Sequence, residues 1–223
     1  MNPNRPRVLI EDWLPVAELG IESRRERAAA NAIPPLNSLH IWWARRPVVA
    51  SAAVVLGGLL PAWSTELSEA FPEAELQDVR AYHRWLLRLV GVWGDPVLAK
   101  RTLDAANAAG VKLKGNGYGY KQAYKNPISR DEIALLHRVL VHTWGELPSV
   151  ADVTAGGGSI PWASARYGLP TRANDLNGIA AAVLRAGVDV PARHGAALVD
   201  DIKHWGRLLC ERLETRLRPF FPL

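Results

Sequence analysis

Apolar residues recur with helical period over most of this chain. Residues 22–32 are rich in Glu, Arg and Ala, which favour helix, and Pro34-Pro35 ends that stretch. Residues 48–60 are apolar but for Ser51, with Pro47 placed as a first helical residue and Pro61 as a stop. That run is too short for the roughly 20 residues of a membrane span, so it predicts a buried helix. Tyr82, Trp85, Leu86 and Leu89 share one helical face within residues 67–93. Residues 96–109 predict a further helix closed by Gly110. Ser129 and Glu132 have the capping-box spacing, which starts a helix running to about Trp144. Between these, residues 112–126 hold three glycines, alternating tyrosines and several lysines, and predict an extended loop. Val8-Leu9-Ile10 fits either a strand or a helix start.

The pattern changes after residue 149. A β-prone run at 150–153 leads into Gly156-Gly157-Gly158, then into a short helix at 159–167 stopped by Gly168. Residues 169–173 are a second strand candidate, and 178–186 form an alanine-rich helix. A long helix at 196–217 carries Leu198, Ile202, Trp205, Leu209 and Leu213 at intervals of three or four. The order strand, turn, helix, strand, helix is the opening of a doubly wound domain. The expected fold class is therefore α/β: a helical N-terminal region followed by the incomplete start of a Rossmann-like sheet. The expected divisions are 1–62, 63–147 and 148–223.

Composition adds bounds. At 223 residues and 48% hydrophobic content, the chain is large enough for one core with an appended piece. A net charge of +5 suits a polyanionic partner without requiring one. The single cysteine, Cys210, excludes an intramolecular disulfide and a cysteine-rich zinc site, and points to a reducing, cytoplasmic setting. No apolar signal core follows the polar N-terminus, and no membrane partner is expected. His83, His137, His142, His194 and His204 lack metal-like spacing with acids or cysteines and predict structural roles.

The candidate chemistry lies in Asp152-Val153-Thr154-Ala155-Gly156-Gly157-Gly158-Ser159, after a strand and before a helix. Glycines there let the backbone approach a ligand, and the helix start offers free N–H groups. Three ligands use such turns. A phosphate loop needs Lys after the last glycine, and none follows Gly158. A dinucleotide turn needs a third glycine where Pro161 stands. S-adenosylmethionine needs an acid at each strand end, and Asp152 and Asp175 fill those places at the roughly 20-residue spacing of a βαβ unit. Asp175 would then accept from ribose hydroxyls, and Asp152 would face the methionine ammonium. The plainer alternative is a tight loop with aspartates that cap helices.

These segments carry a family resemblance. Residues 152–159 resemble the Asp-Pro-Phe-Ala-Gly-Gly-Gly-Ser motif of amino-directed DNA methyltransferases, with Val153 and Thr154 in place of its proline and aromatic. Asn174-Asp175-Leu176-Asn177 resembles their Ser-Asp-Leu-Asn-Pro segment, with Gly178 in place of the proline. Leu9-Ile10-Glu11, Ser23-Arg24-Arg25-Glu26 and Leu39-His40-Ile41-Trp42-Trp43-Ala44-Arg45-Arg46-Pro47 resemble a domain of formerly unknown function that precedes this motif in adenine-specific DNA methylases. The resemblance implies S-adenosylmethionine as cofactor and a doubly wound methyltransferase sheet. It implies cofactor contacts from Asp152, Thr154, Ala155, Gly156, Gly157, Gly158, Ser159, Asp175, Leu176 and Asn177, and from His40 and Trp42. Arg45, Arg46 and Lys121 are the expected DNA contacts.

Amino methylation uses an Asp/Asn-Pro-Pro-Tyr/Phe motif that holds the flipped base. The only Pro-Pro pair here, Pro34-Pro35, lies between Ile33 and Leu36. The expectation is a chain inactive alone: a fragment, a split gene product whose partner chain carries the catalytic half, or a pseudoenzyme. A competing expectation is a basic DNA- or partner-binding module built on Lys112, Lys114, Lys121 and Lys125 with Tyr118, Tyr120 and Tyr124.

Overall fold

A computed structural model describes residues 5–28, 33–113 and 115–221. Lys114 and the end of the helix expected at 22–32 lie outside the described residues. Helices dominate. They are α1 (Val16–Ala28), α2 (Pro35–Leu39), α3 (Val48–Leu59), α4 (Thr65–Ala70), α5 (Val79–Leu89), α6 (Pro96–Ala108) and α7 (Arg130–Trp144). After them come α8 (Ser159–Arg166), α9 (Gly178–Leu184), α10 (Val190–His194) and α11 (Ala197–Leu217). A π-type turn, Arg185–Asp189, joins α9 to α10.

The local signals explain many boundaries. The Ser129 hydroxyl accepts from the Glu132 N–H at 3.1 Å while the Glu132 carboxylate accepts from the Ser129 N–H, and Gly145 closes α7 at φ +80°. Asp78 and Asp95 cap α5 and α6 through their side chains. Pro47 stands one place outside α3 as its cap, not inside as its first residue. Val8-Leu9-Ile10 resolves into a single antiparallel bridge, Val8 to Pro61, followed by a 3-10 turn, Leu9–Glu11.

The expected Rossmann-like sheet is not found. The described residues hold two strands, β1 (Val150–Asp152) and β2 (Thr171–Ala173), paired in parallel with Val150 opposite Thr171 and Asp152 opposite Ala173. Each is three residues long, and Ala151, Arg172 and Ala173 are exposed. A pair this short covers no apolar face of its own, so the fold is mostly helical and the strands are an attachment to it. Beyond β2 every regular element of the described residues is helical, through α11, so no third strand joins the pair.

One core serves the helices and the strand unit alike. Leu56, Leu60, Leu76, Tyr82, Trp85, Leu86, Leu136 and Leu140 are fully buried together, and Ala163, Tyr167 and Leu169 belong to the same cluster. α3 packs on both α1 and α8. Polar atoms within this core find carbonyls: Tyr82 Oη donates to Pro61 O (2.8 Å), Trp144 Nε1 to Leu59 O (2.7 Å) and Tyr167 Oη to Leu89 O (3.1 Å).

Candidate functional site

The glycine turn leaves β1 and enters α8. Asn174 N–H donates to Asp152 O (2.9 Å) and Ala155 N–H to Asn174 O (3.0 Å), which carries the parallel pairing beyond the strands. Gly156 and Gly158 then adopt φ of +51° and +82°, conformations that side chains resist. Asp175 closes the turn. Its Oδ2 accepts from Gly156 N–H and its Oδ1 from Asn177 N–H, each at 2.8 Å. The Asn177 and Gly156 N–H groups, in that order, hold the Asp175 carboxyl below the usual carboxylate range, so it stays ionised at neutral pH. Asp152 Oδ1 accepts from Thr154 N–H at 3.1 Å.

Across from this turn lies the segment that joins α2 to α3. Trp42 rests directly on the glycines. A Cβ at Gly156 would fall 2.6 Å from Trp42 Nε1, and one at Gly157 would fall 2.9 Å from Trp42 Cβ. The glycines are thus needed for contact with tryptophan as well as for the bend. Between the two segments is a cleft of about 710 Å³. Trp42, Trp43, Arg45 and Arg46 form one wall, and residues 152–157 with Ser159 and 174–177 form the other. Trp43 is 87% exposed and half-buried Trp42 abuts the glycines, so neither is a core aromatic.

The cleft therefore gathers most of the expected cofactor residues: Asp152, Thr154, Ala155, Gly156, Gly157, Ser159, Asp175, Leu176, Asn177 and Trp42. Gly158 is turned away from it, toward Leu184, Val188 and Leu36. His40 caps the end of α2, is exposed, and stands 6.2 Å from the Trp42 ring without lining the cleft. Arg45 and Arg46 line the cleft, whereas Lys121 does not. A second groove of about 860 Å³ runs beside β2, lined by Thr171, Leu184, Arg185 and Arg193. It is larger, yet of the expected residues it holds only Asp175, so the chemistry points to the smaller cleft.

Among the described residues, the tyrosines of the lysine and tyrosine loop are engaged within the chain. Tyr118 and Tyr120 both pack on the Arg25 guanidinium, 4.2 and 4.8 Å from their ring centres, and Tyr124 is buried. Residues to which the sequence assigned no role at the site also shape it. Asn37 and Asn174 line the cleft, and Glu26 of α1 accepts from the Val48 and Val49 N–H groups at 2.9–3.3 Å. That carboxylate fixes the start of α3 immediately after the Trp42–Arg46 wall. Nothing in local spacing announces it, because the cap comes from another helix.

Residues 13–84 match a family model described as a protein of unknown function (DUF1156). The match contains the tryptophan and arginine wall and ends well before the glycine turn. No curated protein and no solved structure matches the chain. No helix among the described residues is long and apolar enough to cross a membrane.

Proposed function

We propose that the cleft binds S-adenosylmethionine and that the chain is the cofactor-binding part of an adenine-specific, amino-directed DNA methyltransferase. The observation that carries this reading is the seating of Trp42 on Gly156 and Gly157 while Asp175 grips the Gly156 N–H. Two segments far apart in sequence, each resembling the same enzyme family, share one cleft.

The donor set suits that cofactor. The cleft volume lies within the roughly 300–1,000 Å³ of small-molecule sites. Asp152 keeps Oδ2 as an acceptor for an ammonium group. Each Asp175 oxygen takes one backbone N–H and retains a lone pair for a ribose hydroxyl. Gly157 and Ser159 line the cleft, and their N–H groups have no partner among the described residues, which leaves two donors for a ligand oxygen. Trp42 and Trp43 supply apolar surface for a base, and Arg45 and Arg46 supply positive charge at the rim, where DNA phosphate would approach. When bound, the cofactor supplies an electrophilic methyl group on a sulfonium. These residues hold and orient it; the Asp-Pro-Pro-Tyr type of motif is absent from the 223 residues, so the proposal assigns them no methyl transfer.

Isothermal titration with S-adenosylmethionine tests the reading. Saturable binding, lost in Asp175→Ala and in Trp42→Ala, supports it; a silent titration of the folded wild-type chain removes it. Incubation with labelled cofactor and adenine-containing DNA is expected to give no incorporation, and clear incorporation would refute the assignment of cofactor binding alone.

A further inference from the structure

α11 buries none of its residues, although it is the longest of the described helices. Its Leu198, Ile202, Trp205, Leu209 and Leu213 fall at intervals of three or four and form one stripe along roughly 22 Å of helix. Ile202, Trp205 and Leu209 are 62%, 66% and 57% exposed. Its substantial contacts are with α10 and with the 3-10 turn that follows it, Arg218–Phe220, both near its ends. Helices in proteins draw most of their stability from packing such a stripe, so a bare one calls for a cover.

We propose that the cover is a second copy of the chain, with the two α11 helices antiparallel about a two-fold axis. Three features of the helix are complementary to its own reverse. Turned end for end about the middle of the stripe, Leu198 meets Leu213 of the second copy and Ile202 meets its Leu209. Trp205 meets Gly206 of the second copy. A glycine inside a helix costs about 1 kcal/mol relative to alanine, and among the described residues nothing lies within 4 Å of where the Gly206 Cβ would be. A facing tryptophan ring would use that space.

The third feature is charge. Asp201 and Arg212 lie about three turns apart on the same flank of the stripe, both exposed and neither in an ion pair among the described residues. A two-fold antiparallel pair sets like flanks against each other, so each Asp201 lies within a turn of Arg212 on the other copy. A parallel pair would instead set this flank against the opposite one, where Val199, Cys210 and Leu217 stand nearest the stripe and Arg212 finds no carboxylate, with Lys203 only at the outer edge. The closed, isologous arrangement is the one the sequence of α11 satisfies.

Sedimentation equilibrium on the full chain from about 1 to 100 µM tests this, a range that brackets micromolar association. The expected result is a concentration-dependent dimer. Trp205→Glu is expected to be monomeric throughout. Asp201→Arg should weaken dimerisation at least about tenfold, and the double variant Asp201→Arg with Arg212→Asp should recover to within a few-fold of wild type. α11 buries no residue within the chain, so at a concentration where wild type is monomeric the circular dichroism and melting of all three variants should match it. A wild-type chain that stays monomeric overturns the proposal. So does a dimer indifferent to Trp205→Glu, or a double variant no better than Asp201→Arg.

Discussion

Glycine at 157 is fixed by its neighbour, and this sets its substitution apart from that of other glycines. A methyl group there would stand 2.9 Å from Trp42 Cβ, an atom tied to the backbone that no rotamer change can move aside. Gly157→Ala is therefore expected to cost about 1–3 kcal/mol of stability, by overpacking, and to weaken S-adenosylmethionine binding at least tenfold. Gly178→Ala is the control: its Cβ would meet nothing within 4 Å and its φ is not positive, so unfolding and titration should both stay near wild type. Equal loss in the two variants would show that the tryptophan contact does not matter. Glu26 gives a second residue-scale prediction. Burial pushes its carboxyl up, against the opposing effect of the Val48 and Val49 N–H groups and Arg45. Its folded pKa thus lies above its unfolded one, so the folded chain binds the extra proton between the two values. The contribution to stability is greatest below the unfolded value and declines as pH rises through the folded one. Glu26→Gln keeps an acceptor for the α3 amides without the charge. In urea unfolding from about pH 4 to pH 7 it should lack this decline, while Glu26→Ala should lose about 1–3 kcal/mol by orphaning the amides.

At the scale of elements, residues 116–121 are held to α1 through Arg25 and Glu22. Arg25 stacks on Tyr118 and Tyr120, donates to the Tyr120 carbonyl, and pairs at 3.1 Å with buried Glu22, which also accepts from Tyr120 Oη at 2.7 Å. Lysine offers neither the planar face nor the forked donors. Arg25→Lys should therefore release the loop, and limited trypsin cleavage at Lys112 and Lys121 should accelerate about tenfold or more, since such cleavage follows the open population. An unchanged rate would mean the loop is held by other contacts. How far these elements were legible depends on the kind of signal each carries. The ends of α7, α6 and α8 are written locally, in Ser129 with Glu132, in Asp95, and in the left-handed Gly145, Gly110 and Gly168. The strands were placed nearly correctly too, but strand position does not specify how many strands assemble. A strand-turn-helix-strand run reads the same whether a sheet grows from it or, as here, its helix packs onto a helical core. The lining of the candidate cleft is legible wherever a motif spells it, as in Asp152, Gly156, Gly157 and Asp175. What is not legible is Glu26, Asn37 and the internal stacking of the tyrosines, because each depends on a distant element approaching.

At the scale of the whole molecule, α8 is shared between two tasks. Its N-terminus opens on the cleft through Ser159 and Ile160, and its other end enters the common core through Ala163 and Tyr167. Tyr167 is held at its hydroxyl and its carbonyl, donating from Oη to Leu89 O and accepting at O from His137 Nε2 at 2.7 Å. The strand unit is tied to the helical core, since Leu169, next to β2, lies in the same cluster as Leu56 and Trp85. A ligand in the cleft should consequently stabilise the entire described core and not the turn alone. If S-adenosylmethionine binds the folded state only, a concentration 100 times its Kd adds about 2.7 kcal/mol. Calorimetry should then show one cooperative transition moving upward as a unit with added cofactor, and the same transition without that movement in Asp175→Ala. Two transitions, with only the smaller one responding to cofactor, would mean that the glycine-turn unit folds apart from the helices, and the shared role given to α8 would fail. Tyr167→Phe separates the two tasks further. It leaves Leu89 O without its donor and should lower the transition by the equivalent of about 1–3 kcal/mol, yet it lies away from the cleft and should leave the cofactor-induced shift intact.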